Sequence, residues 1–333
     1  MKIEKLTSAQ KILPSWDKQA HSIYQKTEFL LHLEKYNPCN QRYYIYYDDS
    51  DNVIAGAVVY SLIINLFTFS KSSFTISFSV IGLPASVDAS GIVGENENHV
   101  NYLISKILKQ EKGLILSLNY NKIDHLKSVV KMQTLPTLIF EKRDNAWNDF
   151  LYNIKHNYRR RILKAEEKIA DIEKHTESCS RFTEIHYNQY LAIMERTNTK
   201  LEILSFDFFQ NLPDNYKLIS LYHKNELLVW HISVLDADTY YFLFGGINYK
   251  LRDKFDSYYN NLISIIKEGF DIPCKTINLG QTALVSKNRL GAKVVPLRLF
   301  IYHSNPIIRL FLNLGKKIIS YKIEDKEVTI YKN

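Results

Sequence analysis

The pattern of apolar and polar positions divides the chain into two similar runs of elements. Residues 41–47, Gln-Arg-Tyr-Tyr-Ile-Tyr-Tyr, read as a strand, and the polar residues 48–52 as a turn. Residues 53–66 are apolar and β-branched and form the expected partner strand, with a third strand over 74–81. A loop with Gly82, Pro84, Gly91 and Gly94 leads into a helix over 98–109, then short strands at 114–118 and 137–140. Residues 15–36, ahead of all this, read as helical. The second half repeats the plan. One or two helices fall within 183–212, a hairpin within 217–235 turns at Lys224-Asn225-Glu226, and a third strand spans 240–244. A loop over 245–252 opens a helix over 253–269, and a short strand follows at 276–279. Asn-Tyr-Leu-Ile-Ser at 101–105 matches Asn-Asn-Leu-Ile-Ser at 260–264, each leading to a short apolar strand. That match and the shared element order predict an internal duplication. The division is expected near residue 145, in the charged stretch Glu141-Lys142-Arg143-Asp144-Asn145, giving domains 1–145 and 146–333.

The 333 residues suffice for two domains, and 23 Tyr against 11 Gly favour strands within a mixed α and β fold. Cys39, Cys179 and Cys274 are far apart and match neither a C-x-x-C nor a metal-ligand spacing, so no metal is expected. The longest apolar run, 53–69, is broken by Ser61, Asn65 and Thr68 and suits buried strands better than a membrane span. No leader pattern opens the sequence, and a cytoplasmic protein is expected. The excess of 43 Lys and Arg over 35 Asp and Glu points to an anionic ligand or partner without requiring DNA.

Three stretches carry a family resemblance: Tyr241-Phe242-Leu243-Phe244-Gly245-Gly246-Ile247-Asn248, Asn278-Leu279-Gly280-Gln281-Thr282, and Lys287-Asn288-Arg289-Leu290-Gly291-Ala292. Their order is an aromatic strand, a Gly-Gly loop, a helix, an LGQ turn and a basic helix. It resembles the second half of GNAT-superfamily acyltransferases, in particular the tandem-domain relatives of the Fem-type peptidoglycan-bridge aminoacyltransferases. Asn157-Tyr158-Arg159-Arg160-Arg161 resembles the Arg-rich helix that opens the second domain of those relatives. The resemblance implies an α/β (α+β) fold of two tandem GNAT-like domains. Each would be a mixed, mostly antiparallel central sheet flanked by helices, the first of them degenerate.

The resemblance also implies roles. Gly245, Gly246, Asn248, Lys250 and Arg252 would hold the carrier at the start of the 253–269 helix, although the loop lacks the usual Gly-x-Gly/Ala ending. A helix start suits phosphate because its first N–H groups are unpaired; the alternative is a strand end with two turn glycines. Gln281 would touch the acceptor or thioester carbonyl, and Lys287 would neutralise an acceptor anion, on a helix whose positions 282, 286, 289 and 293 share a face. Arg159, Arg160 and Arg289 would bind substrate, unless these basic faces are merely solvated. His231, in an apolar strand, could act as a general base beside Tyr241, or be a satisfied core histidine.

The implied activity is that of an N-acyltransferase. It would move an acyl or aminoacyl group from acyl-CoA, acyl-carrier protein or aminoacyl-tRNA to an amine, either a small molecule or a cell-wall precursor. Attack would be direct, without an acyl-enzyme. The rivals are a non-catalytic binding module on the duplicated scaffold and a tRNA-dependent aminoacyltransferase. Near the end of the chain, Ile307, Ile308, Phe311, Leu314 and Ile318 share one helical face, with Arg309, Lys316 and Lys317 off it. This helix is expected to dock on the protein's own fold, with peripheral contact to an anionic membrane as the alternative.

Overall fold

The computed structural model describes residues 1–65, 75–122, 124–197, 202–323 and 328–332. The end of the 53–69 run, Phe74 of the expected third strand and 198–201 of the helical region lie outside the described residues. The chain forms two compact units, Met1–Leu135 with Pro296–Ile323, and Pro136–Val295 with Glu324–Asn333.

In the first unit, β1 (Lys2–Leu6) pairs antiparallel with β2 (Arg42–Tyr47), β2 with β3 (Val53–Asn65), and β3 with β4 (Thr75–Ile81). A two-residue strand, β5 (Ile92–Val93), adds to β3. Before β2 lies α1 (Thr27–Tyr36). After β5, α2 (Glu97–Gln110) crosses over to β6 (Leu114–Ser117), which runs parallel to β4, as a crossover helix requires. Asn96 caps α2 by accepting from the N–H groups of Asn98 and His99. Val100, Leu103, Ile104 and Ile107 give α2 one buried stripe against Tyr44, Ala57 and Val59 of the sheet. The expected 15–36 helix is shorter. Buried Trp16 donates through Nε1 to the Gln25 carbonyl, Asp17 accepts from the N–H and hydroxyl of Thr27, and these local bonds hold 3-10 turns until α1 begins.

β7 (Val130–Glu141) is longer than the 137–140 expected, and its last residues belong to the second unit. That unit continues with α3 (Trp147–Asn153), α4 (His156–Glu167), β8 (Glu173–Ser178), α5 (Glu184–Arg196) and α6 (Phe206–Gln210). Then come β9 (Lys217–His223), β10 (Glu226–Asp236), β11 (Thr239–Ile247), α7 (Arg252–Phe255), α8 (Ser257–Asp271), β12 (Thr276–Asn278) and α9 (Leu284–Asn288). The β9–β10 turn is at Lys224 and Asn225, both left-handed at φ 48° and 65°, as tight hairpins demand. Strands β8 to β11 pair antiparallel in sequence order, β11 is parallel to β12, and β12 is antiparallel to β7. The plan thus matches the first unit, with α8 in the place of α2 and the two Leu-Ile-Ser stretches on those helices. Strands β1 and β8 are edge strands with many polar residues and too little apolar periodicity to be read from sequence.

The division does not fall near 145. β13 (Lys293–His303) pairs with β6, Phe300 opposite Ser117, so Pro296–Ile323 belongs to the first unit together with α10 (Pro306–Ile319). Pairings so distant in sequence leave no local mark. Among the described residues, no helix is long and apolar enough to cross a membrane.

Candidate functional site

The site of the second unit is built where β11 leaves β12. Their ladder stops at Tyr241–Asn278. One residue later β11 carries a bulge, because Ser233 of β10 opposes Phe242 while Ile232 opposes Phe244, leaving Leu243 extra. A bulge bends its strand and redirects the side chains that follow. Before it, Tyr240 reaches Glu268 of α8; after it, Phe244 packs against Tyr190 and Phe209 of α5 and α6.

Beyond β12 the chain turns sharply. Asn278 accepts from the Gly280 N–H at 2.7 Å, and Gly280, Thr282 and Ala283 are all left-handed, at φ 68°, 65° and 50°. A β-branched residue held there is strained, and such strain collects at ligand sites. Lys287 is 1% exposed and donates through Nζ to the carbonyls of Gly280 at 3.3 Å and Gln281 at 2.6 Å. Its ammonium holds the turn closed from inside.

This turn forms one wall of a cavity of about 480 Å³. Thr282, Ala283, Ser286 and Arg289 line that wall, Ile247, Tyr249, Arg252 and Asp253 the side beyond β11, and Asp256, Tyr258 and Tyr259 the start of α8. Arg161 of α4 and Ile193 of α5 complete it. Three guanidinium groups therefore meet two carboxylates. Arg252 grips Asp253 with two bonds, 2.8 and 3.2 Å, which lowers the Asp253 pKa. Arg161 bonds Asp256 at 2.7 Å and lies over the Tyr259 ring, 4.4 Å from its centre. Arg289 is exposed and joins no ion pair among the described residues. Burial pushes Tyr259 up to about 12, against the pull of Arg161 and Arg289, and raises Tyr258 as well, so both stay neutral phenols. At the first turns of α8, Ser257 Oγ, Tyr259 OH and Asn260 Oδ1 are buried without a hydrogen-bond partner among the described residues.

Several expected placements are corrected. Gly245 and Gly246 lie inside β11, not in a loop, and packing explains them. A Cβ on Gly246 would stand 2.2 Å from Trp230 Nε1, and one on Gly245 2.9 Å from the Trp230 carbonyl. The loop is Asn248 to Leu251, where Asn248 accepts from the Lys250 N–H and Lys250 is exposed; of the five expected carrier ligands, only Arg252 lines the cavity. The helix expected over 253–269 is broken at Asp256, at φ 52°, into α7 and α8. The basic helix is a single turn ending at Asn288, so position 293 leaves its face, while 282, 286 and 289 do share the cavity wall. Arg159 is half-buried and Arg160 exposed on α4, and neither lines the cavity; their neighbour Arg161 does.

His231, Tyr241, Gln281 and Lys287 do not share a cavity. His231 is fully buried against α8, Nδ1 on Asn261 Oδ1 at 2.8 Å and Nε2 on Glu268 Oε2 at 3.1 Å. Glu268 also accepts from Tyr240, Ser264 and Lys174. Burial works to raise the Glu268 pKa, but His231 and Lys174 outweigh it and hold the carboxyl well below its usual range. Both imidazole nitrogens are engaged, which makes His231 a satisfied core histidine. Tyr241 faces away from it, since its neighbour Tyr240 points to α8 and strand side chains alternate.

Sequence reasoning named Arg161 only as one of a basic run and missed Tyr249, Asp256, Tyr258 and Tyr259 as site residues. Arg161 was visible within the basic run; the tyrosines carried no signal among 23. The position of Lys287 carries a prediction. Lys287→Ala should cost about 1.5–3 kcal/mol in a denaturant melt, as hydrogen bonds from a charged group are lost. Unchanged stability would return Lys287 to the role of a ligand-facing cation.

No family profile and no curated protein match the chain by sequence. Solved structures do match in fold. FemX aligns over 93% of this chain and 100% of its own, with a TM-score of 0.56 and 12% identity. The C-terminal DUF2156 domain of a putative lysylphosphatidylglycerol synthetase from Agrobacterium fabrum aligns over 88% and 90%, with a TM-score of 0.52 and 8% identity. L-PGS from Bacillus licheniformis aligns over 86% and 94%, with a TM-score of 0.50 and 12% identity. The chain has a tandem GNAT-like fold related to that of Fem-type enzymes.

Proposed function

We propose that the protein is an N-acyltransferase that takes an acyl or aminoacyl group from an anionic activated carrier, acyl-CoA first, and passes it to an amine. The observation that carries this reading is the cavity at the open end of β11 and β12, walled by Arg161, Arg252 and Arg289. The fold shared with FemX, with the putative lysylphosphatidylglycerol synthetase domain and with L-PGS supports a transferase. A cavity of about 480 Å³ falls in the size class of small-molecule sites.

The carrier's phosphates would bind Arg289 and compete with Asp253 and Asp256 for the other two guanidinium groups. The acceptor amine would attack the thioester carbonyl, forming the C–N bond as the C–S bond breaks. The leaving thiolate takes up the proton that the amine gives up. Strand separation beyond Tyr241–Asn278 leaves backbone groups on that edge of β11 without ladder partners, available to an oxyanion. Cys179 and Cys274 are poor candidates for an acyl-enzyme, because burial raises the pKa of Cys179, to about 12, and of Cys274, so neither presents a thiolate.

Calorimetry with CoA tests binding. Arg289→Ala should weaken it by about 1.5–3 kcal/mol, and less at high salt. If the intact protein binds neither CoA, acyl-carrier protein nor aminoacyl-tRNA, the reading fails. The pairing of two cavity arginines with Asp253 and Asp256 favours one rival, a binding module that holds a carrier without turnover. Release of free thiol from acyl-CoA upon addition of amines separates the two.

A further inference from the structure

We propose that α10 is a membrane-surface anchor, an amphipathic helix whose uncovered apolar arc inserts among anionic lipid headgroups. Among the described residues, the helix docks on the first unit through Leu312, which packs with Val130, Met132 and Ile301. On another side it leaves Ile307 62%, Leu310 57%, Phe311 68% and Leu314 70% exposed. These positions follow i, i+3, i+4 and i+7 and share one arc. Four large apolar side chains in a row differ from the scattered ones that any surface carries. Expected docking on the protein's own fold is thus incomplete.

Charge selects the occupant. Pro296–Ile323 holds no acid; Arg298 is paired with Asp124 at 2.8 Å, and Arg309, Lys316, Lys317 and Lys322 supply the remaining positive charge. Lys316 and Lys317 stand in the last turn of the helix, and Lys317 flanks the apolar arc one turn beyond Leu314. Apolar side chains bordered by ammonium groups match the boundary between acyl chains and anionic phosphates. A second copy of this face would bring the same basic residues against one another, which disfavours self-association. At 14 residues the helix is about 21 Å long, shorter than a bilayer core of about 30 Å, so it lies in the plane of the surface rather than spanning it. This holds whatever the cavity of the second unit binds.

Vesicle sedimentation with the full chain tests it. Vesicles of phosphatidylcholine with one quarter phosphatidylglycerol should bind the protein, and pure phosphatidylcholine or high salt should weaken binding roughly tenfold or more. Phe311→Ser with Leu314→Ser should reduce binding roughly a hundredfold. Lys316→Gln with Lys317→Gln should reduce it roughly thirtyfold on the anionic vesicles and little on neutral ones. Circular dichroism checks that the variants stay folded. Phe311→Trp, in an otherwise native chain, should show blue-shifted emission and quenching by brominated lipid. Failure to sediment with anionic vesicles, or sedimentation unaffected by the serine pair, overturns the proposal. So does a dimer that the serine pair abolishes in a protein that ignores vesicles.

Discussion

Gly246→Ala is expected to destabilise the second unit by about 3 kcal/mol, lowering its melting temperature by about 6–12 °C. The added methyl would meet Trp230 Nε1 at 2.2 Å, Cε2 at 2.6 Å and Gln189 Cβ at 2.9 Å. None of these can yield cheaply. Trp230 is fully buried, donates to the His186 carbonyl at 3.0 Å, and is boxed in by Phe182 and Phe209. Gln189 is tied to the Leu227 carbonyl at 2.9 Å. The rearrangement that makes room must break one of those bonds or open the aromatic cluster. Trp230→Phe shortens the obstructing ring, so the double variant should lose less than the sum of the two single losses. Thermal and denaturant melts of the four proteins measure this. A Gly246→Ala protein with native stability and weakened carrier binding would mean that the glycine serves a ligand after all.

The same neighbourhood should make the protein sensitive to mild acid. His186 is buried, its pKa lowered by desolvation from 6.5 to about 4. Thr183 donates its N–H to Nδ1 at 3.1 Å, which leaves Nε2 to carry the proton and donate to Ser220 Oγ at 3.1 Å. A second proton would set one N–H against another in a site closed to water. Since the folded pKa lies below the unfolded one, the unfolded chain takes up the proton first as pH falls. The contribution is intact above about pH 6.5, declines between 6.5 and about 4, and levels off below, for a total loss of about 3 kcal/mol. Glu268 adds a separate loss at lower pH, because its depressed carboxyl is protonated only well below the ordinary 4.5. Melts from pH 7.5 to 4 should show the His186 decline, and His186→Gln should flatten it while starting from lower stability. An unchanged slope in that variant would assign the decline to other groups.

What could be read from the sequence was local. The hairpin of β9 and β10 follows from apolar runs around Lys224-Asn225, and α2 and α8 from apolar residues at helical spacing. The shared Leu-Ile-Ser stretches pointed to the repeated plan because the same crossover helix must bury the same stripe twice. What failed was non-local. Two adjacent glycines look alike whether they admit a phosphate or an indole, and only strand pairing brings Trp230 across from Gly246. His231 looked like a base because Asn261 and Glu268, thirty and more residues away, were invisible as its partners. The cavity was half legible: Arg252, Arg289 and the 282–286–289 face were in view, but the tyrosines of α8 reach it only through the break at Asp256.

The late arrival of β13 sets the order in which the molecule can be completed. Phe300 pairs with Ser117, 183 positions earlier in the chain. At ribosomal speeds of about 5–20 residues per second, β6 waits roughly ten to forty seconds for that neighbour. During this interval its outer row of N–H and C=O groups stays open, a template for any extended segment nearby. Closing so long a loop is also slow, because the entropy of the intervening chain is spent before the ladder forms. Synthesis of this protein therefore passes through a stage in which the half begun first still lacks a strand while most of the other half is being made, with an adhesive sheet edge to be kept from other nascent chains.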